Sequence, residues 1–262
     1  AEIAWIKEHG MWGEFELYDK QEYTVPGRNG DLLHCELIRS KESSAGNKYV
    51  ILSHGYHANR YSSVKYVDCY ITLGYSCIIY DLRNHGMNAD AVCTIGNHEA
   101  DDLECLIEDT LERYKDITQL GLHGESMGSS TSLSVLKYRP RVDFVIADCG
   151  FTNLHELLAT AYKSYNAGFM IYPVNAMMKL LFRYDLHDTN AIGSLEGNTV
   201  PICFIHGSDD NFILPENSEK MSRATDGYSE VHIVPGAAHA ESREILGEET
   251  YRKIIAGFLE KI

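Results

Sequence analysis

The stretch LGLHGESMGSSTSLSVLKY (Leu120–Tyr138) sets one serine, Ser126, between two glycines at the point where an apolar run gives way to helical periodicity. LGLHG reads as a buried strand and STSLSVLKY as a helix, so Gly124-Glu125-Ser126-Met127-Gly128 occupies a strand-to-helix turn. A turn this sharp crowds the backbone, and small residues must flank the serine. Its hydroxyl is then held out at the carboxyl edge of a sheet, above the N-terminus of the following helix. The pattern G-x-S-x-G alone also describes an ordinary glycine-rich turn; the strand and helix around it are what give it chemical meaning.

Working outward, the same alternation extends in both directions. FELYDKQEYTV and LLHCELIRS, separated by PGRNGD, predict an antiparallel hairpin after a short helix in IAWIKEHGMW. A polar turn, SKESSAGN, leads to YVILSHG and then YSCIIYD, continuous apolar runs of the kind buried on both faces of a sheet, with SSVKYVDCYITLG as the helix between them. NHEADDLECLIEDTLERY carries apolar or small residues at helical spacing and acidic residues in its first turn. Beyond the central stretch, VDFVIAD, VPICFIHG and EVHIVPG predict strands, and PENSEKMSRA and TYRKIIAGFLEKI predict helices. Strands alternating with helices imply an α/β fold: a mostly parallel sheet covered on both faces, within a single domain over 1–262. Residues 151–190 break the rhythm. Rich in Tyr, Met and Phe, including Phe169 and Met177, they predict helical pieces without a strand, a helical cap inserted over the sheet whose apolar side chains either fill core or line the roof of the site.

Bulk composition narrows the partners. The 262 residues are 44% hydrophobic and 23% charged, an ordinary globular balance, with a formal net charge of -15. Such a charge opposes binding to nucleic acid and to anionic membrane surfaces, and leaves small neutral or cationic molecules open. The seven cysteines are odd in number, spread out, and include no C-x-x-C, so they read as free thiols in a reducing, cytoplasmic setting. No apolar run reaches membrane-spanning length and no signal peptide is recognisable; because the chain starts at Ala1, a removed N-terminal anchor stays an alternative. No His/Cys/Asp cluster has ligand spacing, so neither a metal nor a cofactor is expected.

A serine hydroxyl is a weak nucleophile until a base takes its proton, and that base needs an acid to orient it. HGSDDNFILP follows a buried strand and offers Asp209 and Asp210; PGAAHAES follows the last strand and offers His239 in a loop of small residues. Asp148, in ADCGFTN, is a rival acid that precedes the insertion rather than the penultimate helix. An oxyanion formed at Ser126 would need donors. The backbone N–H of Met127 is one, and the N–H of Tyr56, in LSHGYHANR, is the second candidate; His54 and His57 beside it are assigned structural or substrate-edge roles.

These segments, with IIYDLRNHGMN and FIHGSDDNFILPENSEKM, resemble the alpha/beta-hydrolase superfamily over nearly the whole chain. They look most like bacterial single-domain serine hydrolases related to the prolyl oligopeptidase catalytic domain and to feruloyl-type esterases. In such proteins H-G-x-x-D places the acid at its fifth residue, here Asp210. DLRNHG departs from the usual D-x-R-G-H-G by having Asn84 for a glycine, a loop change away from the chemistry. The resemblance implies a Ser126–Asp210–His239 triad and hydrolysis, through an acyl-enzyme, of small-molecule esters of short or medium apolar or aromatic acids. The alternative is a peptide or amide hydrolase of the prolyl-oligopeptidase-like type, and a third class is a non-catalytic binding member. Oligomeric state is not legible.

Overall fold

The computed structural model describes residues 2–8, 11–41, 47–164 and 166–262. The chain opens with two short helices, α1 (Glu2–Glu8) and α2 (Met11–Leu17), followed by the hairpin β1 (Asp19–Pro26) and β2 (Leu32–Arg39). This corrects the expected strand from Phe15; the middle of the expected helix, His9 and Gly10, lies outside the described residues. Phe15 is buried against Trp12 and Tyr61, which keeps the segment helical to Leu17, and only after Tyr18 does the backbone extend. Most of the polar turn expected between β2 and the next strand lies outside the described residues.

The alternating part follows the expected order: β3 (Lys48–Ser53), α3 (Val64–Thr72), β4 (Ser76–Tyr80), α4 (His98–Arg113), β5 (Gln119–Glu125), α5 (Met127–Ser134) and β6 (Phe144–Asp148). α5 begins at Met127, three residues before the expected start, because the turn holding Ser126 is itself the helix cap. Between β6 and β7 (Ile202–Gly207) lie α6 (Leu154–Ser164) and α7 (Ile171–Phe182), in the segment that breaks the rhythm. The chain closes with α8 (Glu216–Ala224), β8 (Ser229–Val234), α9 (Ser242–Leu246) and α10 (Glu248–Leu259).

The eight strands form one sheet in the order β1-β2-β4-β3-β5-β6-β7-β8; β2 is antiparallel to both neighbours and every later pairing is parallel. Apolar side chains cover both faces. Ile51, Ile78, Leu122 and Phe204 face Leu103, Leu106 and Leu133 of α4 and α5, and Val50, Leu52, Ile79 and Ile205 face Val67, Tyr70, Tyr251 and Phe258 of α3 and α10. Burial on both sides explains why these strands read as unbroken apolar runs. A third cluster, around Phe151, Leu154, Ile171, Tyr184 and Ile213, seats α6 and α7. The strand order reverses at β3, whose neighbours are β4 and β5. The crevice outside the carboxyl ends of β3 and β5 is therefore the place where this architecture opens a site.

Candidate active site

Ser126 sits in that crevice with φ 55 and ψ -116, a conformation costly for a residue with a side chain. Its surroundings hold it there. The Ser126 N–H donates to Asp148 O at 2.9 Å, and Ser130 N–H donates to Ser126 O at 3.1 Å. The flanking glycines permit close approach: a Cβ on Gly124 would lie 2.1 Å from Gly128 O, and one on Gly128 would lie 2.1 Å from Ser53 O. The ends of β5 and β3 could not lie this near the start of α5 with any side chain between them.

From the far edge of the crevice, His239 places Nε2 2.8 Å from Ser126 Oγ. Its Nδ1 lies 2.7 Å from Asp210 Oδ2. A carboxylate can only accept, so Nδ1 carries the proton and Nε2 is left to accept from the serine hydroxyl. The alignment rests on backbone bonds between the loops after β7 and β8: Asp209 N–H to Ala237 O at 2.9 Å, and Ser208 N–H to Val234 O at 2.9 Å. The Ser208 hydroxyl oxygen also accepts from Gly236 N–H at 2.8 Å.

Of the three candidate acids, the structure brings Asp210 to His239. Its Oδ1 accepts from Phe212 N–H at 2.9 Å and Ile213 N–H at 2.8 Å. Oδ2 also lies 3.2 Å from His206 Nε2, which donates to Ile213 O at 2.8 Å. Burial by itself would raise the carboxyl's pKa, but the hydrogen bonds from His206, His239 and the Ile213 N–H hold it well below the usual carboxylate range. Asp209 is exposed and accepts from the Ser208 hydroxyl at 2.7 Å. Asp148 turns into the interior, where Oδ2 accepts from Tyr251 O–H at 2.8 Å and Oδ1 has no hydrogen-bond partner among the described residues. Burial, aided by the Glu125 carboxylate, pushes its pKa up to about 7.

Met127 is the first residue of α5 and stands directly after Ser126. The loop carrying Tyr56 crosses close by, since a Cβ on Gly55 would lie 3.6 Å from Ser126 Cβ. His54 ties this loop down. Its Nε2 accepts from Leu82 N–H at 3.0 Å, so Nδ1 carries the proton and donates to Gly55 O at 2.7 Å. Burial lowers its pKa to about 4, which keeps the ring neutral. Gly55 C=O and Tyr56 N–H belong to one trans peptide and point opposite ways, so fixing the carbonyl fixes the direction of the Tyr56 N–H. His54 thus has structural surroundings. His57 is exposed, and its backbone N–H donates to His85 Nε2 at 3.3 Å.

Sequence reasoning missed three features. Phe212 packs edge-on against His239, ring centroids 5.1 Å apart, and forms one wall of a cavity of about 240 Å³ lined also by Leu157, Thr160 and Leu214. The only sequence signal was its place two residues after Asp210. Glu125, beside the serine, meets the Lys65 ammonium and the Tyr66 hydroxyl, and Lys65 Nζ also donates to Ala240 O at 3.4 Å, next to His239. Burial would lower the Lys65 pKa, but the carboxylates of Glu125 and Glu244 raise it, so it stays charged. Finally, the fold gathers ligand-bearing groups that linear spacing hides. Cys149, Asp210 and His239 have ligating atoms within 4.8 Å of one another, as do Cys203, Glu230 and His232. The first set shares the groups beside Ser126, and in the second Glu230 already accepts from Lys261 and His232. Phe169 and Met177, expected over the site, are exposed.

Known proteins resemble this chain in sequence family and in fold. The family model described as "Prolyl oligopeptidase family" matches residues 92–262. The uncharacterized protein YqkD of Bacillus subtilis (strain 168) is 27% identical over 259 residues, covering 97% of this chain and 84% of that protein. Among solved structures, the Pyrococcus furiosus esterase Pf2001 superposes with a TM-score of 0.74 at 17% identity, covering 95% of this chain and 94% of that one. Acetyl xylan esterase 1 from Thermoanaerobacterium sp. JW/SL YS485 gives a TM-score of 0.70 at 16% identity, covering 91% and 84%. At these identities the structural likeness speaks for the alpha/beta-hydrolase fold.

Proposed function

The chain belongs to the prolyl oligopeptidase family, and we propose that within it the protein is a serine hydrolase that cleaves small-molecule carboxylic esters through an acyl-enzyme. The observation that carries this reading is the unbroken line from Ser126 Oγ through His239 to Asp210, with 2.8 and 2.7 Å links, at a strand-to-helix turn of positive φ.

In the proposed cycle the Nε2 of His239 takes the hydroxyl proton as Ser126 Oγ attacks the substrate carbonyl, and Asp210 stabilises the imidazolium so formed. The oxyanion accepts from the N–H groups of Met127 and Tyr56. His239 then returns the proton to the departing alcohol, and water, activated by the same nitrogen, releases the acid. Neutral imidazole is required at the start, so activity falls on the acid side. Residues 151–190 serve as the cap, and the cavity bordered by Leu157, Phe212 and Leu214 takes a short or medium apolar acyl group.

A panel of p-nitrophenyl esters of increasing acyl length, run beside aminoacyl and prolyl anilides, tests the proposal. Higher kcat/KM on the esters supports it. Preference for the anilides would favour the amide-hydrolase reading that the family name suggests, and inertness on both would favour a binding protein.

A further inference from the structure

The helices between β6 and β7 carry an apolar face that no described residue covers. Leu180, Tyr172 and Phe169 are 81%, 73% and 69% exposed, and Met177, Leu181 and Phe182 are exposed beside them. Exposed apolar surface of this extent marks an interaction site. Its charge setting departs from the rest of the molecule. From Leu157 to Tyr184 the chain contains Lys163, Lys179 and Arg183 and not one aspartate or glutamate, in a protein of net charge -15. The nearest carboxylates lie at the ends of this stretch: Glu156, and Asp185, which pairs with Lys179 and His187.

We propose that this face, centred on α7, docks the protein onto the surface of an anionic phospholipid bilayer. Leucine, methionine and phenylalanine side chains would enter the boundary between headgroups and acyl chains, with Tyr172 at headgroup level and lysine and arginine facing lipid phosphates. The net charge of the chain opposes approach to such a surface, but at physiological salt a charge is felt over only about 8 Å. Face-on contact therefore presents the acid-free stretch and keeps the acidic remainder screened. Charge also argues against a second copy as the occupant, because an acid-free stretch offers its own copy no carboxylate to pair with Lys163 or Arg183. Among the described residues no helix is long and apolar enough to cross a membrane, so the contact lies in the interface plane.

Vesicle flotation with the full chain tests the proposal. The wild-type protein should float with vesicles of equal parts phosphatidylcholine and phosphatidylglycerol, bind roughly tenfold less to phosphatidylcholine alone, and be released from the anionic vesicles by salt on the order of 0.5 M. Leu180→Glu/Leu181→Glu should abolish flotation with an unchanged melting temperature, since both positions are exposed, and the milder Leu180→Ser should weaken it. The lipid and salt comparison needs no variant and stands if the double variant misfolds. Absence of wild-type flotation on anionic vesicles, or equal flotation of a well-folded double variant, would overturn the proposal. So would sedimentation of the lipid-free protein as a dimer that the double variant splits, which would assign the face to a second copy.

Discussion

Asp210 Oδ2 accepts from His239 Nδ1 at 2.7 Å, while the adjacent Asp209 turns outward to Ser208. Two neighbouring carboxylates thus have different partners, and isosteric substitution separates them. Asp210→Asn should lower kcat by roughly 10⁴-fold, because an amide facing Nδ1 stabilises the wrong imidazole tautomer. Asp209→Asn should leave kcat within about threefold, its cost being confined to a loop hydrogen bond. Steady-state kinetics on one ester decides the matter, and a large loss in Asp209→Asn alone would reverse the assignment.

Asp148 supplies a pH-dependent stability term. Burial first, and the Glu125 carboxylate second, raise its pKa from 3.8 to about 7, so the folded state favours the protonated acid. Between pH 4 and 7 the unfolded chain releases this proton and the folded chain keeps it, so stability falls as pH rises through that window. Asp148→Asn keeps an acceptor for Tyr251 and removes the titration. Its stability relative to wild type should rise from pH 4 to 7, by on the order of a few kcal/mol, and level off above. Urea denaturation at pH 5 and pH 8 reads this difference; a constant offset between the two proteins would refute the buried-acid account.

Lys65 forms a buried ion pair with Glu125, the residue before Ser126. Removing one member strands the other, so Lys65→Met should cost about 3–5 kcal/mol of stability, and Lys65→Met/Glu125→Gln should recover much of it. A double variant as unstable as the sum of the single changes would show that the two groups act independently.

Phe212 is 63% exposed and packs against His239, so its truncation should disturb specificity more than folding. In Phe212→Ala the ratio of kcat/KM for butyrate over acetate esters should shift by roughly tenfold, with a melting temperature close to wild type. An unchanged ratio would remove Phe212 from the acyl site.

What the sequence made legible follows from where local physics dominates. Val50–Leu52 and Ile202–Ile205 read as strands because burial on both faces demands unbroken apolar runs, and Ser126 stood out because only glycines fit around its turn. His239 and Asp210 were legible from their strand-end loops together with the spacing of a resembling motif. The boundary at Leu17 was not, since the packing of Phe15 against Tyr61 overrides the β-like composition of the segment. The Lys65–Glu125 pair and the approach of Phe212 to His239 were hidden for a different reason: they join residues far apart in the chain, and no local pattern encodes such contacts. Linear spacing likewise gave no sign that Cys149 lies near Asp210 and His239.

The central claim, that Ser126 is acylated during turnover, is tested most directly by intact-protein mass spectrometry and peptide mapping after reaction with a fluorophosphonate. The account predicts one phosphonyl group per chain, located on Ser126 and absent from Ser126→Ala, whose kcat should fall by at least about 10³-fold with the fold intact. Labelling at another residue, or substantial ester hydrolysis by Ser126→Ala, would contradict it.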